Sequence, residues 1–127
     1  MSTLTVSNVS DGSLSIPTTY VTNGSAKAWV NFDGTGTIAA RDSLNVSSLT
    51  DNGTGVYTVN YTSAFASANY VVGGASVAFS GGADARLIPW GTQALPTTTA
   101  TAFGGFNFSG SADDIEYAMV SIHGDLA

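Results

Sequence analysis

The chain reads as an all-β domain, an antiparallel sandwich or barrel-like knob. Three observations lead there. Asp11-Gly12, Asp33-Gly34 and Asn52-Gly53 punctuate short runs in which apolar residues recur at every second position, the pattern of strands joined by tight turns. Charged residues make up only 9% of the 127 residues, against roughly 25% in ordinary soluble domains. Ser, Thr, Asn and Gly stand in their place, and these compete with or weaken helical hydrogen bonding. No internal repeat of solenoid or propeller period is visible. At this length one core is the economical expectation, with residues 1–26 as an N-terminal extended or assembly segment and 27–127 as the β-rich knob.

Taken in order, Thr3 to Val9 alternates and predicts a first short strand, closed by Asp11-Gly12. Leu14 and Ile16 before Pro17 predict an extended edge segment, because proline cannot donate to a ladder. Ala26 to Phe32 is a stronger strand, returned by Asp33-Gly34-Thr35-Gly36 through Thr37 to Val46. Ser47 to Asp51 leads into Asn52-Gly53, and Val56 to Tyr61 follows with Tyr57, Val59 and Tyr61 on one face. Thr62 to Asn69 is the one stretch where a helical turn is expected. Tyr70 to Phe79 resumes extended structure, with Gly73-Gly74 as a bulge or bend. Residues 80–84 read as a loop, Arg86 to Trp90 as a brief strand, and Pro96 to Thr101 as extended chain without the pattern of a strong core strand. Phe103 to Ser109, with Phe106 and Phe108 on one face, and Ile115 to His123 complete the strands.

Charge and composition exclude several functions. The formal net charge is −6, and the only basic side chains besides one histidine are Lys27, Arg41 and Arg86. Nucleic-acid binding depends on Lys and Arg neutralising phosphates, so no nucleic-acid partner is expected, nor electrostatic adhesion to anionic lipid. No cysteine is present, which removes disulfides and thiolate metal sites. No apolar run approaches the roughly 18 residues of a membrane span, and the N-terminus lacks a signal-peptide pattern, so cytoplasmic synthesis without membrane insertion is expected. Asn-X-Ser/Thr triplets at Asn8, Asn23, Asn45, Asn52, Asn60 and Asn107 follow from the composition.

Residues fit for covalent chemistry are sparse. His123 is the only histidine. It reads as a surface or interface residue, since serines are too abundant for any one to mark a triad and no Gly-X-Ser-X-Gly elbow occurs. Asp113, Asp114 and Glu116 form the densest acidic patch, without the ligand spacing of a calcium loop. They read as turn acids preceding a strand. Gly34-Thr-Gly and Gly53-Thr-Gly lack the Lys-Ser/Thr and following helix of a phosphate cradle. No enzyme, cofactor or metal is therefore expected. Aromatic rings beside polar groups suit carbohydrate or cell-surface recognition, and Trp90 with Arg86 is the candidate receptor contact. Strands apolar on both faces, such as Ala28, Val30 and Phe32 opposing Trp29, call for a second sheet or a second subunit. Trp29, Phe32 and Phe106 are the candidate subunit-interface residues.

The stretch AWVNFDGTGT, followed by Arg41-Asp42-Ser43 and by NVSSLTDNGTGVYTVNYT with Ala68-Asn69-Tyr70, resembles a segment of tail-fibre-like virion proteins of tailed bacteriophages. The likeness is strongest from Lys27 to Asn69, weaker in MSTLTV and in Tyr117 to His123, and undefined over Gly73 to Gly110. It implies a β-rich knob that assembles as a homotrimer, contacts other virion proteins, and binds a host surface glycan or protein, with the virion as its location. The chain is short for a whole fibre. A tip subunit, a tail accessory, or a capsid decoration (cement) protein with a purely structural role is therefore also expected to fit.

Overall fold

The computed structural model describes residues 1–77, 86–89 and 95–127. Two four-stranded sheets, both antiparallel throughout, face each other across a shared core. The first has the order β4-β3-β10-β7, from β3 (Ala28–Asp33), β4 (Ala39–Leu44), β7 (Val71–Val77) and β10 (Tyr117–His123). The second has the order β5-β6-β9-β8, from β5 (Val46–Asp51), β6 (Val56–Tyr61), β8 (Arg86–Pro89) and β9 (Ala100–Phe106). The sandwich is the form the domain takes.

Alternation decides which face of each strand turns inward. Ala28, Val30 and Phe32 of β3 are buried, with Trp29, Asn31 and Asp33 half-buried on the other side. β6 repeats this with Tyr57, Val59 and Tyr61 inside, and β10 with Ala118, Val120 and Ile122. Phe65, Phe103 and Ile115 complete the core. Edges of the aromatic rings meet their neighbours' faces, as in Phe32 against Tyr57 at 5.2 Å and Tyr61 against Phe65 at 4.9 Å, the preferred geometry for π-systems.

Passage between the sheets needs unusual backbone at one residue. β4 ends at Leu44 and β5 begins at Val46, so Asn45 alone carries the chain from one sheet to the other. Its φ is 55°, the only positive value at a non-glycine residue among those described. Asparagine tolerates this left-handed conformation better than most residues. Its side chain also clasps the backbone of Ser63, donating through Nδ2 to the carbonyl at 3.1 Å and accepting from the amide at 2.7 Å. The run expected from Thr37 to Val46 is thus divided at its last residues between two sheets.

Other local expectations are corrected. Thr62 to Asn69 is not helical: Phe65 bridges to Leu126, and the Phe65 and Ala66 amides donate to the Thr98 and Asp125 carbonyls at 2.8 Å each. Tertiary partners there satisfy the backbone through bends and one isolated bridge. The helix is instead α1 (Thr18–Gly24). It follows Pro17, whose fixed φ suits a helix entry, and the Lys27 ammonium bonds the Thr22 and Ser25 carbonyls near the helix end. Gly73-Gly74 form no bulge, since β7 pairs with β10 in continuous register. Shifts in register occur instead at Asn31/Phe32 and at Val46/Ser48. The first strand is β1 (Asn8–Ser10), shorter and later than Thr3 to Val9, and it pairs with β2 (Ser15–Pro17). Thr101, at the end of a run without the pattern of a strong core strand, is 1% exposed. Phe79 and loop 80–84 lie outside the described residues.

Residues 1–26 form an arm rather than a part of the sandwich. β1, β2 and α1 contain no buried residue. The arm is tied to the sandwich at its root: Lys27 N–H donates to the Ile122 carbonyl at 2.8 Å, and His123 Nδ1 lies 3.1 Å from the Gly24 carbonyl.

Candidate binding surfaces

The outer faces of the two sheets differ in chemistry. On the second sheet, cross-strand amides and hydroxyls satisfy one another: Asn60 Nδ2 donates to Ser48 Oγ and Thr50 Oγ1 at 3.1 Å each, and Asn52 Nδ2 to Thr58 Oγ1 at 2.9 Å. The β5–β6 part of this face is polar and satisfied within itself, while Ala100, Ala102 and the exposed Ile88 stand on its β9–β8 part. On the first sheet, Trp29, Asn31, Met119 and Ser121 project outward around Gly73 and form a shallow groove of about 450 Å³. Ser121 lies between Trp29 and Gly73 in the ladder, as Met119 lies between Asn31 and Ala75. Gly73 has no side chain to fill the floor, where an added Cβ would meet Ser121 Oγ at 3.2 Å. Val71, at the arm-side end of β7, is 69% exposed. Asn31 Oδ1 is buried and has no hydrogen-bond partner among the described residues, which makes it costly as it stands.

Beside this groove, Arg41 is held by three contacts. Its guanidinium donates to Asp33 Oδ2 at 2.9 Å and to the Glu116 carbonyl at 2.5 Å, and stacks over the Tyr117 ring at 4.0 Å. The Asp33 carboxylate is held below its ordinary pKa, first by the Thr35 hydroxyl at 2.6 Å, then by the Thr35 amide at 2.9 Å, with Arg41 adding to both. This arrangement fixes the β3–β4 turn.

A second polar knot closes the same end of the sandwich. The Tyr57 hydroxyl accepts from Ile115 N–H at 3.0 Å and lies 3.2 Å from Asp114 Oδ1, to which it donates. Asp114 Oδ1 also accepts from the Gly55 amide at 2.7 Å. Gly55 has φ +65°, and a Cβ there would lie 2.5 Å from the Gly105 carbonyl. Burial, reinforced by the Asp114 charge, pushes the Tyr57 phenol well above its ordinary pKa, and burial does the same to Tyr61. Both hydroxyls are neutral hydrogen-bonding groups at physiological pH. Asp114 is therefore a clamp between the β5–β6 and β9–β10 loops, a role that its sequence context did not reveal.

At the opposite end, Asn23, Ser67, Asn69, Tyr70, His123 and Asp125 line an open cleft of about 490 Å³. The Tyr70 hydroxyl donates inward to the Thr97 carbonyl at 2.9 Å and contacts Thr101 Oγ1, so its ring edge forms one wall. Amides, a carboxylate and an aromatic wall together can hydrogen-bond hydroxyl groups and pack against C–H surfaces.

The residues singled out in the sequence separate as follows. Trp29 stands on the outer face of the first sheet, where a neighbour can reach it. Phe32 does not: it is fully buried against Tyr57 in the chain's own core, and its assignment to a subunit interface is corrected, because the second sheet already covers it. Phe106 ends β9 and is half-buried beside Ala112. Arg86 begins β8 opposite Phe106, and Trp90 lies outside the described residues. Among the described residues, no cluster of three or more His, Cys, Asp or Glu is placed to hold a metal, and no helix is long and apolar enough to cross a membrane. No protein-family model matches the chain, and neither does any curated protein or solved structure.

Proposed function

We propose that this chain is a virion subunit of a tailed bacteriophage, of tail-fibre or spike type, that assembles as a homotrimer and contributes to attachment to the host surface. One observation carries the reading. The stretch from Lys27 to Asn69 that resembles such proteins supplies β3, β4, β5 and β6, two strands to each sheet, together with the core residue Phe65. The likeness therefore falls on the scaffold itself rather than on a loop. The trimer rests on the resemblance, and the apolar outer face around Trp29 and Met119 supports self-association.

Attachment is assigned to the loops and to the polar cleft of Asn23, Asn69, His123 and Asp125, whose chemistry suits a surface glycan. Trp90 and Arg86 remain the proposed receptor contact on sequence grounds. A capsid decoration protein is the second reading, favoured by the exposed apolar arm of residues 1–26, which suits anchoring in a lattice of neighbours. Immunogold labelling of tailed particles that encode the chain separates the two. Label on the tail is expected for the attachment protein, and label over the head for the decoration protein. Particles without label at either place would overturn the virion assignment.

A further inference from the structure

The N-terminal arm carries more exposed apolar surface than a free segment should. Eight of the fifteen exposed large apolar side chains among the described residues lie in residues 1–21, including Leu4 at 84%, Leu14 at 68% and Tyr20 at 72%. Its single charged side chain is Asp11. So many exposed apolar side chains with so little charge suit burial against another surface. The β1–β2 hairpin has three residues per strand, too little to be stable without further packing.

We propose that the arm of one copy docks on the outer face of the first sheet of a second copy, along the groove of Trp29, Asn31, Gly73 and Met119. This rests on the self-assembly part of the reading above and names its contact.

Two observations select this occupant. Arm and groove are complementary in kind, both apolar and almost without charge. Finally, the arm leaves the sandwich through Lys27, two residues before Trp29, so each copy presents its arm beside its own groove. An arm passed to the next copy brings that copy's groove alongside, a head-to-tail contact that closes into a ring if the rotation is right. Eight side chains of this size remove roughly 500–1,000 Å² per arm from water. With a similar area of the face, the contact reaches the roughly 1,200–2,000 Å² of stable interfaces.

The full-length chain is the material for the test. Sedimentation at low micromolar concentration is expected to give an oligomer. Leu14→Glu with Tyr20→Glu on the arm, and separately Val71→Glu on the face, are each expected to raise the dissociation constant at least about a hundredfold, because charge replaces buried apolar surface. All three positions are exposed in the single chain, so the circular dichroism of the sandwich should not change. The chain has no cysteine, which allows a second readout. Leu14→Cys and Val71→Cys chains, co-expressed and treated with a bismaleimide, are expected to cross-link to each other. An oligomer that keeps its mass in both charge variants and shows no cross-link would overturn arm docking while leaving self-assembly standing. A wild-type chain that sediments as a monomer would overturn both, independently of where the protein is found on a particle.

Discussion

Removing one oxygen from Tyr57 tests how the sandwich holds its loops. Tyr57→Phe leaves the ring, and its edge contact with Phe32 at 5.2 Å, in place. It deletes the hydroxyl that accepts from Ile115 N–H at 3.0 Å and donates to Asp114 Oδ1. Ile115 is fully buried, so its amide gains no water in exchange. An unsatisfied buried donor costs roughly 1–3 kcal/mol, and the lost bond to a carboxylate adds to it. A destabilisation of about 2–3 kcal/mol is expected, which for a domain of this size lowers Tm by roughly 10 °C. Urea denaturation followed by circular dichroism measures it, with Tyr20→Phe on the exposed arm as a control expected to change stability by less than about 0.5 kcal/mol. If Tyr57→Phe unfolds at the wild-type urea concentration, the hydroxyl is not the tie between β6 and the β9–β10 loop, and Asp114 is not a clamp.

Two further outcomes follow from the same geometry. The Tyr57 and Tyr61 phenols have pKa values raised by burial. The unfolded chain therefore loses these protons first as pH climbs past about 10, and the stability they contribute is complete below that pH and lost above it. Spectrophotometric titration should show these two of the five tyrosines ionising only with alkaline unfolding; five ordinary phenols titrating in an intact fold would contradict this. At the sheet crossing, Asn45→Gly keeps the left-handed backbone and loses the two bonds to Ser63, whereas Asn45→Ala also meets the left-handed penalty. Alanine is expected to be the less stable by about 1 kcal/mol, and equal denaturation midpoints would count against a strained crossing.

The local pattern of β3 and β6 was readable because burial on one face of a strand imposes a period of two. Tyr57, Val59 and Tyr61 face the core as that period requires. The same pattern marked both sides of β3 as apolar without saying which side meets the protein's own second sheet. Phe32 and Trp29 were indistinguishable on that ground, and they lie on opposite faces. Where the pattern was short or broken, tertiary pairing decided the outcome. Thr62 to Asn69 gave up its helical turn to bonds with Thr98 and Asp125, while α1 formed in the arm, where no sheet competes for its backbone.

The candidate surfaces were less legible still. The groove draws on β3, β7 and β10, which are far apart in the chain, and the clamp joins Gly55 to Asp114. Such sites exist only once distant strands are side by side. Trp29 had a signal, an aromatic in the middle of a strand apolar on both faces. Asn31 and Met119 had none, because an amide and a thioether on an outer face are ordinary until their neighbours are known.

The amino-acid order alone determined that this chain is built of strands, that its turns lie at Asp33-Gly34 and Asn52-Gly53, and that Tyr57, Val59 and Tyr61 of β6 share one face. Those properties depend on near neighbours and on the preferences of single residues. Only the tertiary structure decided that Asn45 divides one run between two sheets, that Trp29, Asn31, Gly73 and Met119 meet in one groove, and that residues 1–26 stand clear of the core. These outcomes depend on which strands become neighbours, and that is settled by burial summed over the whole chain.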